Sequence, residues 1–444
     1  MTSADALAWA GKLLAAILHN EQPADRVLSR FFREHPQLGK RDRNQVGDLV
    51  FGVLRHKRLL EHLAQSETLV DLAAAVQGGA LVSVSALDDP HPSPTPAVAT
   101  PAVFDADASA DIPPGSDSVV ASQAPPLSVA DSDFSSLKPW LRYSLPDWLW
   151  QGFVAQLGEA EAMGLAASLN QPAPVDLRVN LLKISRDQVL GELEAAGLAP
   201  LPTPHSPEGI RLASRYPLGG LSVYQSGGVE VQDEGSQLVG FLVDPQPGET
   251  IVDLCAGGGG KSLHLASLMQ GKGRILACDR DSRRLKALKP RLKRSGIRII
   301  RTQPLRHERD PCLRPYTLKA HRVLVDAPCS GTGTLRRHPE IKWRLTPDQV
   351  EAFHARQCAL LGAGAALVRP GGRLVYATCS LLSRENDQVA AAFLKEHPQF
   401  RLLDASRILA AEGIQGLSSS EPYLNLLPHR SGSDGFFVAV FNRL

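Results

Sequence analysis

Aromatic residues make up only 5% of this 444-residue sequence, and no uninterrupted apolar run reaches the roughly 18 residues that a membrane-crossing helix needs. A transmembrane chain and a membrane partner are therefore not expected. Cysteine is scarce: six residues, at 255, 278, 312, 329, 358 and 379, with no C-x-x-C pair among them. That argues against a disulfide framework and a structural zinc site, and for reduced thiols in a cytosol; no metal is expected. The opening Met1-Thr2-Ser3-Ala4-Asp5 lacks the basic stretch and cleavage pattern of a secretory leader, so the expected location is cytoplasmic. An excess of one charge is missing as well, with 48 Lys and Arg against 46 Asp and Glu.

The charge is unevenly spread. Residues 85–136 carry eight Asp and no Glu, Lys or Arg, while residues 280–322 carry fifteen Lys or Arg against three Asp or Glu. A basic body points to an anionic partner such as RNA, although solvated charge alone gives the same composition. The tract 85–136, rich in Pro, Ala, Ser and Asp, holds too little apolar surface to offset its ordering entropy and reads as a disordered insertion. On either side of it, 4–65 and 140–157 show helical periodicity, with Leu13, Leu14 and Ile17 on one face and Val46, Leu49, Val50, Val53 and Leu54 on another. Arg26, Arg30, Arg33, Lys40, Arg41 and Arg43 add a basic cluster to these helices. Residues 158–230 mix strand, helix and turn signals and read as a small α/β module. From 231 onward, apolar runs at 250–254, 274–278, 297–300, 323–325, 373–377 and 436–441 alternate with amphipathic stretches at 261–270, 282–295, 347–368 and 385–396. That alternation predicts a doubly wound α/β sheet with its ligands at the strand carboxyl ends.

The first of those strands runs into Asp253-Leu254-Cys255-Ala256-Gly257-Gly258-Gly259-Gly260-Lys261-Ser262. Four glycines between strand and helix let a ligand approach the backbone. The dinucleotide fingerprint G-x-G-x-x-G fails in either frame, and the phosphate-binding loop G-x-x-x-x-G-K-[ST] is missed only because Cys255 stands at its first glycine. A P-loop NTPase therefore remains an alternative. The second strand ends in Asp279, placed to accept both hydroxyls of a ribose, a combination that suits S-adenosylmethionine. Two further strands run into Asp326-Ala327-Pro328-Cys329-Ser330 and Thr378-Cys379-Ser380. A free cysteine is ordinarily a small buried hydrophobe, but two thiols in one predicted crevice point to chemistry. Carbon 5 of cytosine becomes nucleophilic only after a thiolate adds to carbon 6, and a carboxyl such as Asp326 can hydrogen-bond ring nitrogen 3 in the adduct.

With Val231-Gln232-Asp233, Arg336-Arg337-His338-Pro339-Glu340-Ile341-Lys342-Trp343, Glu385-Asn386 and Asp434-Gly435-Phe436-Phe437, these motifs resemble the RsmB/NOP (Sun/Fmu) family of S-adenosylmethionine-dependent RNA cytosine-5 methyltransferases. The resemblance implies a class I, Rossmann-like methyltransferase domain at 231–444, preceded by a small α/β module at 158–230. It further implies a helical NusB-like RNA-binding domain at 1–157, as in the bacterial 16S ribosomal RNA members. It makes Cys379 the nucleophile and Cys329 the residue that assists product release. Cofactor contacts are implied at Cys255, Ala256, Gly257, Gly258, Gly259, Gly260, Lys261, Asp279 and Asp326. Ribosomal RNA is the implied partner of a monomeric enzyme. Three residues depart from the family pattern: Gly258 and Ser383 stand where prolines are usual, and Pro304 stands where a carboxylate meets the adenine amino group. Gln303 is the nearby side chain able to take that last role. Loss of the carboxylate keeps a second alternative open, an RNA-binding assembly factor of weak catalytic power.

Overall fold

The computed structural model describes residues 1–20, 22–78, 134–213, 216–417 and 422–444. They divide into two units, Met1–Pro172 with Leu335–Arg344, and Ala173–Thr334 with Leu345–Leu444. Among them no helix is long and apolar enough to cross a membrane.

The first unit is helical. Ser3–His19 starts on a capping box made by Thr2 and Asp5, and Ala24–Glu34, Lys40–Ala64 and Leu69–Gln77 follow. The apolar faces expected from periodicity are buried here: Leu13, Leu14 and Ile17 pack with Val46, Leu49, Val50, Val53 and Leu54 in one core. Phe134 joins that core at 1% exposure, on a short 3-10 turn Phe134–Ser136. Disorder expected for 85–136 thus fails at its last three residues, where a large aromatic side chain gains burial; 85–133 lie outside the described residues. The remote segment 335–344 also belongs to this unit. Its Lys342 is 2% exposed and donates to the Arg55 carbonyl (2.6 Å) and to Asn170 Oδ1 (2.9 Å). Burial, with Arg55 nearby, pushes that ammonium's pKa well below its usual value.

The second unit opens with a four-stranded antiparallel sheet of β1 (Val175–Val179), β2 (Pro200–Pro202), β3 (Gly209–Leu212) and β4 (Val229–Val231), in the order β2-β3-β1-β4. A larger sheet follows, built from β5 (Thr250–Asp253), β6 (Arg274–Asp279), β7 (Ile300–Pro304), β8 (Ala320–Asp326), β9 (Val368–Thr378), β10 (Phe400–Leu403), β11 (Leu424–Leu426) and β12 (Phe436–Arg443). Its order is β10-β12-β9-β8-β5-β6-β7, with β11 paired to β12. Strands β7, β6, β5, β8 and β9 run parallel, and β12 lies antiparallel to both β9 and β10. Near-continuous apolar runs such as Val323-Leu324-Val325 suit strands buried on both faces. The sheet is the expected α/β architecture, and its order reverses between β5 and β8, which opens the ligand crevice at their carboxyl ends.

Three local expectations change. The third parallel strand is Ile300–Pro304, not 297–300, because Ile297 is buried in the connection after the helix and the edge strand itself carries Arg301 and Gln303. Strands β10 and β11 carry no clear apolar run and were not expected. The stretch 385–396 is not one helix: a 3-10 turn Ser383–Glu385 and a helix Asp387–Glu396 are separated at Asn386, whose φ of −114° and ψ of −103° break the spiral.

Candidate active site

The glycine loop closes on itself and on β6. Gly259 N–H donates to the Ala256 carbonyl (2.8 Å), and Ala256 N–H to the Cys278 carbonyl (2.7 Å). Gly259 has φ of +79°, and a Cβ there would fall 2.3 Å from Leu288 Cδ1, so glycine is required. Asp253, at the end of β5, accepts from Ser262 Oγ (2.6 Å) and so ties strand end to helix start. Burial pushes its carboxyl up to about 7. Asp279 is buried; its two oxygens accept from Gly257 N–H and Asp281 N–H, both at 2.8 Å. Each oxygen keeps a second lone pair, which is what two ribose hydroxyls would need. A buried carboxylate beside a glycine turn and a helix start fits the ribose-bearing cofactor S-adenosylmethionine.

Across the crevice, Lys261 Nζ donates to Asp326 Oδ2 at 2.8 Å and lies 5.2 Å from the Phe436 ring centre. Burial alone would lower the Lys261 pKa, but Asp326, and beyond it Cys379, outweigh burial and hold it above its usual value. The two thiols expected at strand ends meet: Cys329 Sγ and Cys379 Sγ are 3.4 Å apart. The contact with Cys379, together with burial and the Glu385 charge, pushes the Cys329 thiol well above its ordinary range.

The serines that follow the two cysteines explain the spacing. Glu385 accepts from Ser330 N–H (2.8 Å), Ser330 Oγ, Ser380 Oγ (2.6 Å) and Gln357 Nε2 (3.0 Å). One carboxylate therefore holds both cysteine loops. Leu381 N–H donates to Thr332 Oγ1 (2.9 Å) and Gly333 N–H to the Cys379 carbonyl (2.9 Å), adding two further ties. Asn386 Nδ2 donates to the Ser380 carbonyl (2.9 Å).

Cys329, Cys379, Asp326, Lys261, Asp279 and the loop Ala256–Gly260 are thus placed around one crevice. Cys255 packs partly buried among apolar neighbours, and burial pushes its thiol up, so its side chain is a packing group. Pro304 pairs directly with Asp279 across β6 and β7, and Gln303 Nε2 donates to the Pro304 carbonyl (3.0 Å). That bond uses the amide nitrogen, whereas the amide oxygen is the atom that would accept from an adenine amino group. Sequence reasoning gave no role to Glu385; the signal available was that both cysteines precede a serine, which calls for a shared partner.

The model of 16S rRNA methyltransferase RsmB/F matches residues 240–442, and that of the RsmF/B-like ferredoxin-like domain matches 145–219. A "Probable ribosomal RNA small subunit methyltransferase B" of Synechocystis sp. is 35% identical over 99% of both chains. The chain belongs to the RsmB/F family. It is a methyltransferase of that family, with S-adenosylmethionine as cofactor, and the P-loop alternative loses its support. Among solved structures, that of PH0851 is similar at a TM-score of 0.72 and 26% identity, over 98% of both chains. NSun6 from Pyrococcus horikoshii with SFG shares the fold at a TM-score of 0.60 and 22% identity, covering 67% of this chain and 98% of that one.

Proposed function

We propose that this RsmB/F methyltransferase methylates carbon 5 of a cytosine in small-subunit ribosomal RNA, through a covalent adduct on Cys379 that Cys329 resolves. The observation that carries the reading is the pair of thiols 3.4 Å apart beside the Lys261–Asp326 pair. The names of the relatives supply the RNA class. When bound, S-adenosylmethionine supplies an electrophilic methyl group. Cys379, reacting as a thiolate, adds to carbon 6 of the ring and makes carbon 5 nucleophilic, while Lys261 is kept as an ammonium beside Asp326. Asp326 hydrogen-bonds ring nitrogen 3 and steadies the adduct. While Cys379 is free, its contact helps hold the proton on Cys329. Once Cys379 Sγ is bonded to carbon 6 it can no longer carry a negative charge, and Cys329 gives up its proton more easily. It can then serve at removal of the carbon 5 proton, after which the carbon–sulfur bond breaks and Cys379 leaves. The helical unit, NusB-like in this reading, and the basic residues 280–322 hold the RNA backbone. The target base is flipped from its stack into the crevice.

The order of action sets the test. Cys379→Ala cannot form the adduct and should lose methyl transfer without trapping RNA. Cys329→Ala should add, methylate and stall, leaving an RNA–protein species on a denaturing gel when labelled S-adenosylmethionine is supplied. Trapping by Cys379→Ala alone would reverse the roles. Full turnover by both variants would remove both thiols from the chemistry.

A further inference from the structure

Two arginines from outside the cofactor loop hold its carbonyl groups. Arg291, on the helix Ser282–Ser295, donates from Nη1 to the Gly258 carbonyl at 2.6 Å. Arg178, on β1, donates from Nη1 to the Gly260 carbonyl at 2.9 Å and to Gln232 Oε1 at 2.6 Å. Both guanidinium groups are held by the small sheet. Glu230 of β4, 3% exposed, accepts from Arg291 Nε at 3.0 Å and lies 2.9 Å from its Nη2. Arg178 is 1% exposed; burial lowers its pKa to about 10, with Glu208 and Glu230 opposing the fall. Burying the Arg178 guanidinium has a desolvation cost, and good geometry with fixed acceptors is what offsets it.

What they fix is the stretch where this chain has glycine in place of the family's proline. A proline at 258 would restrict φ by itself, whereas glycine leaves the peptide free to rotate. Gly258 does not have a positive φ, and a Cβ there would lie 3.4 Å from Arg291 Nη1, the end of a flexible side chain, with no backbone atom in its way. Fixing the carbonyls of Gly258 and Gly260 fixes the planes of the peptides that follow them. The first carries Gly259 N–H, which meets the Ala256 carbonyl at 2.8 Å, and the second carries Lys261 N–H, which has no acceptor within the helix Gly260–Leu268.

We propose that Arg291 and Arg178 are positioning residues that brace the cofactor loop from the small module, and that Arg291 replaces the restraint a proline would give at 258. This rests on the reading that the glycine loop and Asp279 hold S-adenosylmethionine.

The test is calorimetric titration of the full chain with S-adenosylmethionine, paired with thermal midpoints. Arg291→Ala should raise Kd about tenfold. Adding Gly258→Pro to Arg291→Ala should recover most of that loss. Arg294→Ala is the structural control. Arg294 pairs with the same Glu230 and stacks on Tyr224 at 4.1 Å, but no contact joins it to the loop. It should lower the midpoint and spare Kd. If Arg291→Ala does not fold, Arg291→Lys keeps the charge without the planar fork and should still weaken binding. Unchanged affinity in the Arg291 variants, equal loss with Arg294→Ala, or no recovery with proline would each overturn the brace. Asp279→Ala belongs in the same series. If it leaves affinity unchanged, the underlying site falls and the brace with it; if it weakens binding while Arg291→Ala does not, only the brace falls.

Discussion

Glu385 accepts from the main chain of one cysteine loop and from serine hydroxyls of both, and it is fully buried. Hydroxyls can rotate to accept, but the Ser330 N–H and Gln357 Nε2 can only donate. Glu385→Gln can therefore keep its oxygen toward those donors and turn its amide toward the hydroxyls. It should fold with a loss of about 1 kcal/mol or less. Glu385→Ala strands several buried donors and should cost about 2–3 kcal/mol. Its methyl transfer should fall at least tenfold with little change in cofactor affinity, because Glu385 does not touch the glycine loop. Glu385→Gln also removes one of the charges that raise the Cys329 thiol, so alkylation of Cys329 should set in at lower pH. Alkylation profiles and denaturant titrations check both halves; equal stability for the two variants would mean the clamp is not used. The thiols themselves were legible in the sequence because reactive cysteine is rare and strand ends are predictable. The clamp was not, since 55 residues separate Ser330 from Glu385 and no local pattern connects them.

Apolar runs revealed the central strands β5, β6, β8 and β9, where both faces are covered. At the sheet edges the same signal failed. β7 tolerates Pro304 because an edge strand leaves some N–H groups unpaired, so its polar, proline-ended segment carries no apolar run and the expected strand fell at 297–300. The segment 335–344 was equally opaque: its motif was visible, but nothing in its spacing says that it packs among helices more than 150 residues earlier. There Glu340 Oε1 accepts from Ala24 N–H at 3.0 Å, capping a helix whose own N-cap, Pro23, has no side-chain acceptor. Trp343 Nε1 donates to the Leu54 carbonyl at 2.7 Å. Glu340→Ala should thus destabilise the helical unit by about 1–2 kcal/mol, typical of a lost cap with a charged acceptor. Hydrogen exchange at residues 24–28 should rise selectively; uniform exchange would show that the cap contributes nothing.

Over the whole molecule, near-neutral net charge hides a basic helix. Arg283, Lys286, Lys289 and Lys293 are exposed on Ser282–Ser295. Each phosphate contact adds roughly 0.7–0.9 to the slope of log affinity against log salt. Replacing Lys286, Lys289 and Lys293 with Gln should therefore lower that slope by about 2 for RNA and leave S-adenosylmethionine affinity alone. An unchanged slope would place the RNA elsewhere. The excursion of 335–344 into the helical unit has a further consequence, in time rather than space. The helices within Met1–Pro172 cannot bury Lys342 or have Ala24 capped until Arg344 has been synthesised. At roughly 5–20 residues per second, the first unit waits about 10–30 s for its last piece, while the sheet between is still being made. A nascent chain halted before residue 335 should hold those helices open to protease, and one released beyond 344 should close them.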